Sequence, residues 1–146
     1  MVGDNVRKYP EIYQQVIAEG HIAGNHTFHH LNGWATTTGS YLEDVAHCSD
    51  LVKSTLFRPP YGRFTPAQFL MLREKYRFIL WSVLSYDFHR QTTPEQCLEN
   101  VINHTGNGSV VVFHDNIKAV EKVRYALPRF LEHFQRKGCQ FPPLPL

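Results

Sequence analysis

The residues best suited to chemistry in this chain are two histidines four positions apart, His26 and His30, in the stretch Gly24-Asn25-His26-Thr27-Phe28-His29-His30. On a helical turn that spacing brings two imidazoles to one face, within reach of a single ion. Imidazole suits zinc, cobalt, nickel and iron, and a catalytic zinc site takes three protein ligands while leaving one position for water. The pair therefore asks for a third ligand elsewhere. Three more polar groups follow: Arg58-Pro59-Pro60-Tyr61-Gly62, Asp87-Phe88 and His114-Asp115-Asn116. Taken singly, each has an ordinary use as a rigid loop, a turn or a helix-start cap. His47, His89, His104 and His133 have no partner spacing and read as surface or helix residues.

What gives the four groups weight is where the surrounding elements place them. Pro10 suits an early helical position, Tyr13, Val16 and Ile17 form an apolar stripe, and Gly20 is a C-terminal stop. A short strand at Ile22-Ala23 then leads into the His-rich loop. Ser40-Tyr41-Leu42-Glu43 has the pattern of a capping box opening a helix that runs to Lys53-Ser54, with Leu42, Val45, Leu51 and Val52 as its buried face. Thr55-Leu56-Phe57 is a strand running into Arg58. Thr65-Pro66-Ala67-Gln68 and Thr93-Pro94-Glu95-Gln96 are further capping boxes; between them, Phe78 to Leu84 reads as one buried strand. Ser109 to Phe113 is a Val-rich strand delivering His114. A long amphipathic helix from Ile117 to Lys137, kinked at Pro128, is closed by Gly138, and Cys139-Gln140-Phe141 reads as a last short strand.

Strand followed by helix, about five times over, predicts an α/β fold with a mainly parallel sheet, open or closed into a barrel. In both forms ligands bind at the carboxyl ends of the strands, where each polar group falls. The chain's 146 residues predict one domain, 1–146. A net charge of +2 with no basic run gives no sign of nucleic-acid binding. No apolar run reaches membrane-spanning length, and no signal peptide opens the sequence. Cys48, Cys97 and Cys139 read as free thiols. The absence of a Gly-x-Ser-x-Gly elbow argues against a serine hydrolase.

The ordered motifs Gly24 to His30, Phe57-Arg58-Pro59-Pro60-Tyr61-Gly62, Trp81 through Asp87-Phe88, and Val112-Phe113-His114-Asp115 resemble the polysaccharide deacetylase family, the NodB-homology domain of carbohydrate esterase family four. The resemblance implies an incomplete, distorted (β/α) barrel of mainly parallel strands. It also implies metal-dependent removal of acetyl groups from an acetylated oligo- or polysaccharide, using zinc or else cobalt or nickel. By that resemblance His26 and His30 are metal ligands, with Thr27 buttressing the loop between them. Arg58 orients the catalytic carboxylate, and Tyr61 offers its backbone N–H to the oxyanion. Asp87 pairs with His114 and holds it protonated as general acid. Trp81, Phe88 and Val112 form apolar walls around the acetyl methyl. A cell-envelope or secreted location belongs to the same expectation.

The sequence also departs from the family. The family's opening Thr-Phe-Asp-Asp-Gly-Pro segment supplies a base and a third metal ligand. None of the five aspartates here (Asp4, Asp44, Asp50, Asp87 and Asp115) has that context. Met1 to Val6 instead resembles the end of the family's second strand. The resemblance thus leads us to expect a chain that begins late, binds metal weakly and is inactive as it stands. Unpaired sheet edges would then favour homo-oligomers. The alternative expectation is a non-catalytic relative that binds carbohydrate or protein.

Overall fold

Parallel pairing of very short strands, each followed by a helix, is what the alternating sequence builds. The computed structural model describes residues 1–144, and every strand pair among them is parallel. Two compact units are built on Met1–Leu80 and on Trp81–Pro142.

The first unit has a row of four extended segments. Met1 lies beside Asn25, its carbonyl accepting from His26 N–H (3.1 Å) and its amino group donating to Gly24 O. Asn25 bridges to Phe57 in strand β1 (Leu56–Phe57), and β1 pairs with β2 (Arg77–Phe78). The connections are α1 (Gly3–Lys8), α2 (Pro10–Ala18), α3 (Thr38–Leu51) and α4 (Pro66–Leu72). One apolar cluster gathers Val6, Ala23, Phe28, Cys48 and Val52; another gathers Tyr41, Val45, Phe57, Leu72 and Tyr76. The second unit pairs β3 (Val83–Leu84) with β4 (Val111–Val112). It adds α5 (Pro94–His104) and α6 (Val120–Arg136), with Val83, Val101, Phe130 and Phe134 as its core.

Both Thr-Pro-x-Gln capping boxes are present. Thr65 and Thr93 each accept from the glutamine amide three residues on, and Gln68 and Gln96 reach back to the threonine N–H. Each box satisfies two amides that a helix start leaves open. Thr93→Ala should therefore lower stability by about 1 kcal/mol, read as a shifted urea midpoint at unchanged slope.

Several expectations need correction. Ile22-Ala23 is not a strand; only Asn25, two residues later, makes a bridge. Ser40 does not cap α3: Thr37 does, accepting from Ser40 N, so the helix starts earlier, and it ends at Leu51. Leu51 is exposed, while Tyr41, Asp44 and Cys48 join Val45 on the buried face. The run Phe78–Leu84 is divided between β2 and β3, with Leu80 exposed between them. The reason is local: the Ile79 and Leu80 carbonyls face the Arg58 guanidinium rather than a strand. Gly3 to Val6 is helical, so the strand-end reading holds for the backbone pairing of Met1 alone. Helix α6 starts at Val120, and Pro128 lies inside it. Cys139–Phe141 forms no strand, because Cys139 N closes the helix end by donating to Phe134 O.

Candidate active site

In the first unit the His-bearing loop leaves the row after Asn25, and most of its backbone amides have fixed acceptors. Asn25 spans the row, its N–H donating to Leu56 O (2.8 Å) and its carbonyl accepting from Arg58 N (3.0 Å). The buried Asn25 amide donates to Val45 O and Ser49 Oγ of α3, while its Oδ1 accepts from Thr27 N (2.9 Å). From the other side, the first amides of α1 reach the loop: Gly3 N donates to Thr27 O and Asp4 N to Phe28 O, both 3.0 Å. Thr27 Oγ1 accepts from Leu31 N (3.1 Å), which closes the turn that carries both histidines.

Asp44 completes the clamp. Its Oδ2 accepts from Phe28 N (2.8 Å) and His29 N (2.9 Å), and its Oδ1 from His29 Nδ1 (2.5 Å). Neither Asp44 nor Asn25 stands out as functional from sequence. The available signal was an acid on the buried stripe of α3, one residue before Val45, where a charge needs fixed partners.

The loop brings the His26 and His30 rings to 4.9 Å between centroids, at 73°. His26 Nδ1 lies 2.5 Å from Arg58 O. A carbonyl can only accept, so Nδ1 carries the hydrogen and Nε2 keeps its lone pair. Burial, partly opposed by that hydrogen bond, holds the His26 imidazole down to about 3, so it is neutral near pH 7. Metal ligation requires that neutral form, and a second hydrogen bond fixing the other ring nitrogen is the usual companion of a ligating histidine. The Tyr61 ring lies 4.8 Å from His30. Two adjacent imidazoles of this kind fit a divalent transition ion as two of its ligands. Among the described residues no cluster of three or more His, Cys, Asp or Glu offers a complete set.

Arg58, one residue past β1, donates Nε to Ile79 O (3.1 Å), which braces the row at its carboxyl end. None of the ion pairs among the described residues involves it. Tyr61 has φ 58, a left-handed conformation, inside the short turn Pro60–Gly62. Thr27, His30 and Tyr86 share that conformation, at φ 60, 58 and 58. Such backbone is costly for side chains other than glycine and gathers at functional turns.

In the second unit the fully buried Asp87 follows β3, and His114 follows β4. Asp87 Oδ1 lies 2.6 Å from His114 Nδ1, and Oδ2 accepts from His114 N at the same distance. The ring is thereby fixed in place and tautomer, with Nδ1–H committed to the carboxylate. Lys122 Nζ donates to Asp87 O (3.0 Å), and the Phe88 ring meets His114 edge-on at 5.0 Å. Val112 is buried in β4, whereas Trp81 is half-buried and Phe88 is 38% exposed.

Beneath the Asp87 turn, burial pushes the Cys97 thiol from 9.0 up to about 11, with the Asp87 carboxylate acting in the same direction. A raised acid favours folding fully below its unfolded value and loses that contribution as pH climbs through the folded one. Stability should therefore be flat with respect to Cys97 below pH 9 and fall between 9 and 11. Cys97→Ala should remove that part of the decline in a series of urea melts across pH.

Comparison with known proteins gives this arrangement its context. The family model for polysaccharide deacetylase matches residues 1–76. A peptidoglycan-N-acetylglucosamine deacetylase of Bacillus cereus is 26% identical over 99% of this chain, which spans 55% of that relative's length. The crystal structure of the Bc1960 peptidoglycan N-acetylglucosamine deacetylase matches 99% of this chain and 71% of its own, at 24% identity and TM-score 0.93. BA3943 of Bacillus anthracis, described as a pseudoenzyme of carbohydrate esterase family four, matches 90% of this chain and 49% of its own, at 19% identity and TM-score 0.72. These likenesses make the α/β fold that of the esterase-family-four deacetylases. With its model matched over more than half of the residues, the chain belongs to the polysaccharide deacetylase family.

Proposed function

We propose that this chain carries the machinery of a divalent-metal-dependent deacetylase that hydrolyses the acetamide or acetyl ester of an acetylated oligo- or polysaccharide. The observation that supports the reading best is the His26–His30 pair, in which the Arg58 carbonyl holds one ring nitrogen and leaves the other open beside the second imidazole. A zinc, cobalt or nickel ion at that pair would supply Lewis-acid polarisation of the acetyl carbonyl and acidification of a water. The left-handed turn at Tyr61 would aim its backbone N–H at the developing oxyanion. His114 would give the departing sugar amine its proton, while Asp87 fixes the ring's tautomer and balances its charge. Arg58 would orient a carboxylate, and Trp81, Phe88 and Val112 would line the acetyl methyl. The relatives named as peptidoglycan deacetylases suggest a cell-wall glycan as substrate, and the family resemblance carries the expectation of a cell-envelope or secreted location.

The chain as it stands should be a poor catalyst, because no carboxylate base or third ligand accompanies the His pair among the described residues. A missing base costs about 10²–10⁴-fold. The test is acetate release from an N-acetylglucosamine tetramer, with and without zinc or cobalt, and with formate added as an external carboxylate. Metal-dependent release that rises with formate is the expected result. No release under any of these conditions overturns the enzyme reading. It would favour a non-catalytic carbohydrate- or protein-binding relative, which the incomplete ligand set also suits; BA3943 is described as a pseudoenzyme of the same esterase family.

A further inference from the structure

The most exposed tryptophan of the chain is also one of its most tightly placed. Trp34 is 66% exposed and sits in the short turn Gly33–Ala35, four residues past His30. Its indole N–H donates to Phe64 O (3.1 Å), and the Arg63 guanidinium lies over the ring at 4.9 Å. The turn beneath it is locked. Asn32 caps it by accepting from Trp34 N (3.0 Å), and the Gln68 amide donates to Gly33 O (3.0 Å). A Cβ on Gly33 would come within 2.5 Å of Arg63 O and 2.9 Å of Phe64 Cα. The turn after His30 is thus pressed against the segment that follows Tyr61.

Leaving a large aromatic in water while fixing its ring plane makes little sense for stability alone. The exposed apolar area gains nothing, and the side chain has still lost its rotamer freedom. It makes sense for binding, where a ring already held in place loses little entropy when a ligand stacks on it. One face is covered by a guanidinium with several N–H donors, which suits a ligand carrying hydroxyls around an apolar face. A pyranose ring is such a ligand: its axial C–H groups offer a flat apolar face and its rim offers acceptors. A protein partner or a second copy would more naturally cover a contiguous apolar patch, whereas here the indole is flanked by Arg63, Asn32 and Thr36.

We propose that Trp34 is a stacking platform for a sugar ring of the substrate polymer beyond the acetylated residue, with Arg63 donating to that ring's hydroxyls. The proposal rests on the carbohydrate reading above and adds a subsite that makes recognition depend on chain length. Isothermal titration of the protein with the tetramer and with the monomer of N-acetylglucosamine tests it, using Trp34→Ala and Trp34→Tyr. The expected result is that the tetramer binds more tightly than the monomer, that Trp34→Ala weakens tetramer binding about tenfold, and that Trp34→Tyr restores much of it. Tetramer should also quench the parent's indole fluorescence, and that quenching should be lost in Trp34→Ala.

Tetramer binding that is unchanged in Trp34→Ala, with a parent-like thermal melt, overturns the platform and leaves the deacetylase reading standing. A parent that binds neither sugar and releases no acetate overturns the carbohydrate reading itself, and the platform with it. Indole fluorescence that shifts with protein concentration, and not with tetramer, assigns the face to a second copy and likewise overturns the proposal. Should Trp34→Ala fail to fold, Arg63→Gln carries the test, with the same tetramer-selective loss expected.

Discussion

Asp44→Ala should lower the stability of the first unit by about 4 kcal/mol. The carboxylate accepts two backbone N–H groups and one imidazole N–H, all from the loop that holds His26 and His30. Hydrogen bonds to a charged group contribute roughly 1.5–3 kcal/mol each, and alanine would leave the buried Phe28 amide with no acceptor. His29 is more than half exposed, so its ring bond contributes least. Asp44→Asn keeps an acceptor for part of this set and should recover about half of the loss. Urea unfolding measures the stability, and cobalt absorption near the His pair measures the consequence for geometry. Cobalt affinity should fall in Asp44→Ala even in conditions where the variant is folded. A stability loss below about 1 kcal/mol would mean that α1 and Asn25 hold the loop unaided.

The second large effect belongs to the other unit. Asp87→Ala should cost about 3 kcal/mol and should release the His114 ring. Here a fully buried carboxylate holds both the backbone and the side chain of one residue, at 2.6 Å each. Its removal leaves the His114 amide and Nδ1–H searching for acceptors in a half-buried place. The local readout is nuclear magnetic resonance of the imidazole nitrogens. The parent should show one fixed tautomer with a slowly exchanging Nδ1 proton; the variant should show both tautomers averaging. A single fixed tautomer in Asp87→Ala would show that Phe88 and its neighbours, not the carboxylate, hold the ring.

Much of this was legible in the sequence, for identifiable reasons. The Thr-Pro-x-Gln starts of α4 and α5 were readable because a capping box uses four residues in fixed register and needs no tertiary partner. The Asp87–His114 pairing lay too far apart in sequence for spacing to reveal, and came only through the order of motifs. Strand lengths were overestimated at 78–84 and 109–113 because apolar runs do not show where backbone pairing stops. The Asp44 clamp was hidden because an acid within a helix usually faces water. The left-handed backbone at Thr27, Tyr61 and Tyr86 was hidden too, since threonine and tyrosine do not announce a positive φ, whereas histidine, as at His30, is among the types enriched there.

The double clamp on the His loop has a further consequence, in time rather than in space. Loops that carry ligands are commonly the first segments of a protein to open. This one is held by the leading amides of α1 on one side and by Asn25 and Asp44 on the other. It therefore has no hinge of its own, and the Phe28 and His29 amides should exchange with solvent only when α1 and α3 separate. Their hydrogen-exchange rates would report the opening of the whole unit. An ion arriving at His26 and His30 would meet a site already formed, and its capture would be limited by encounter and loss of water rather than by closure of the chain around it.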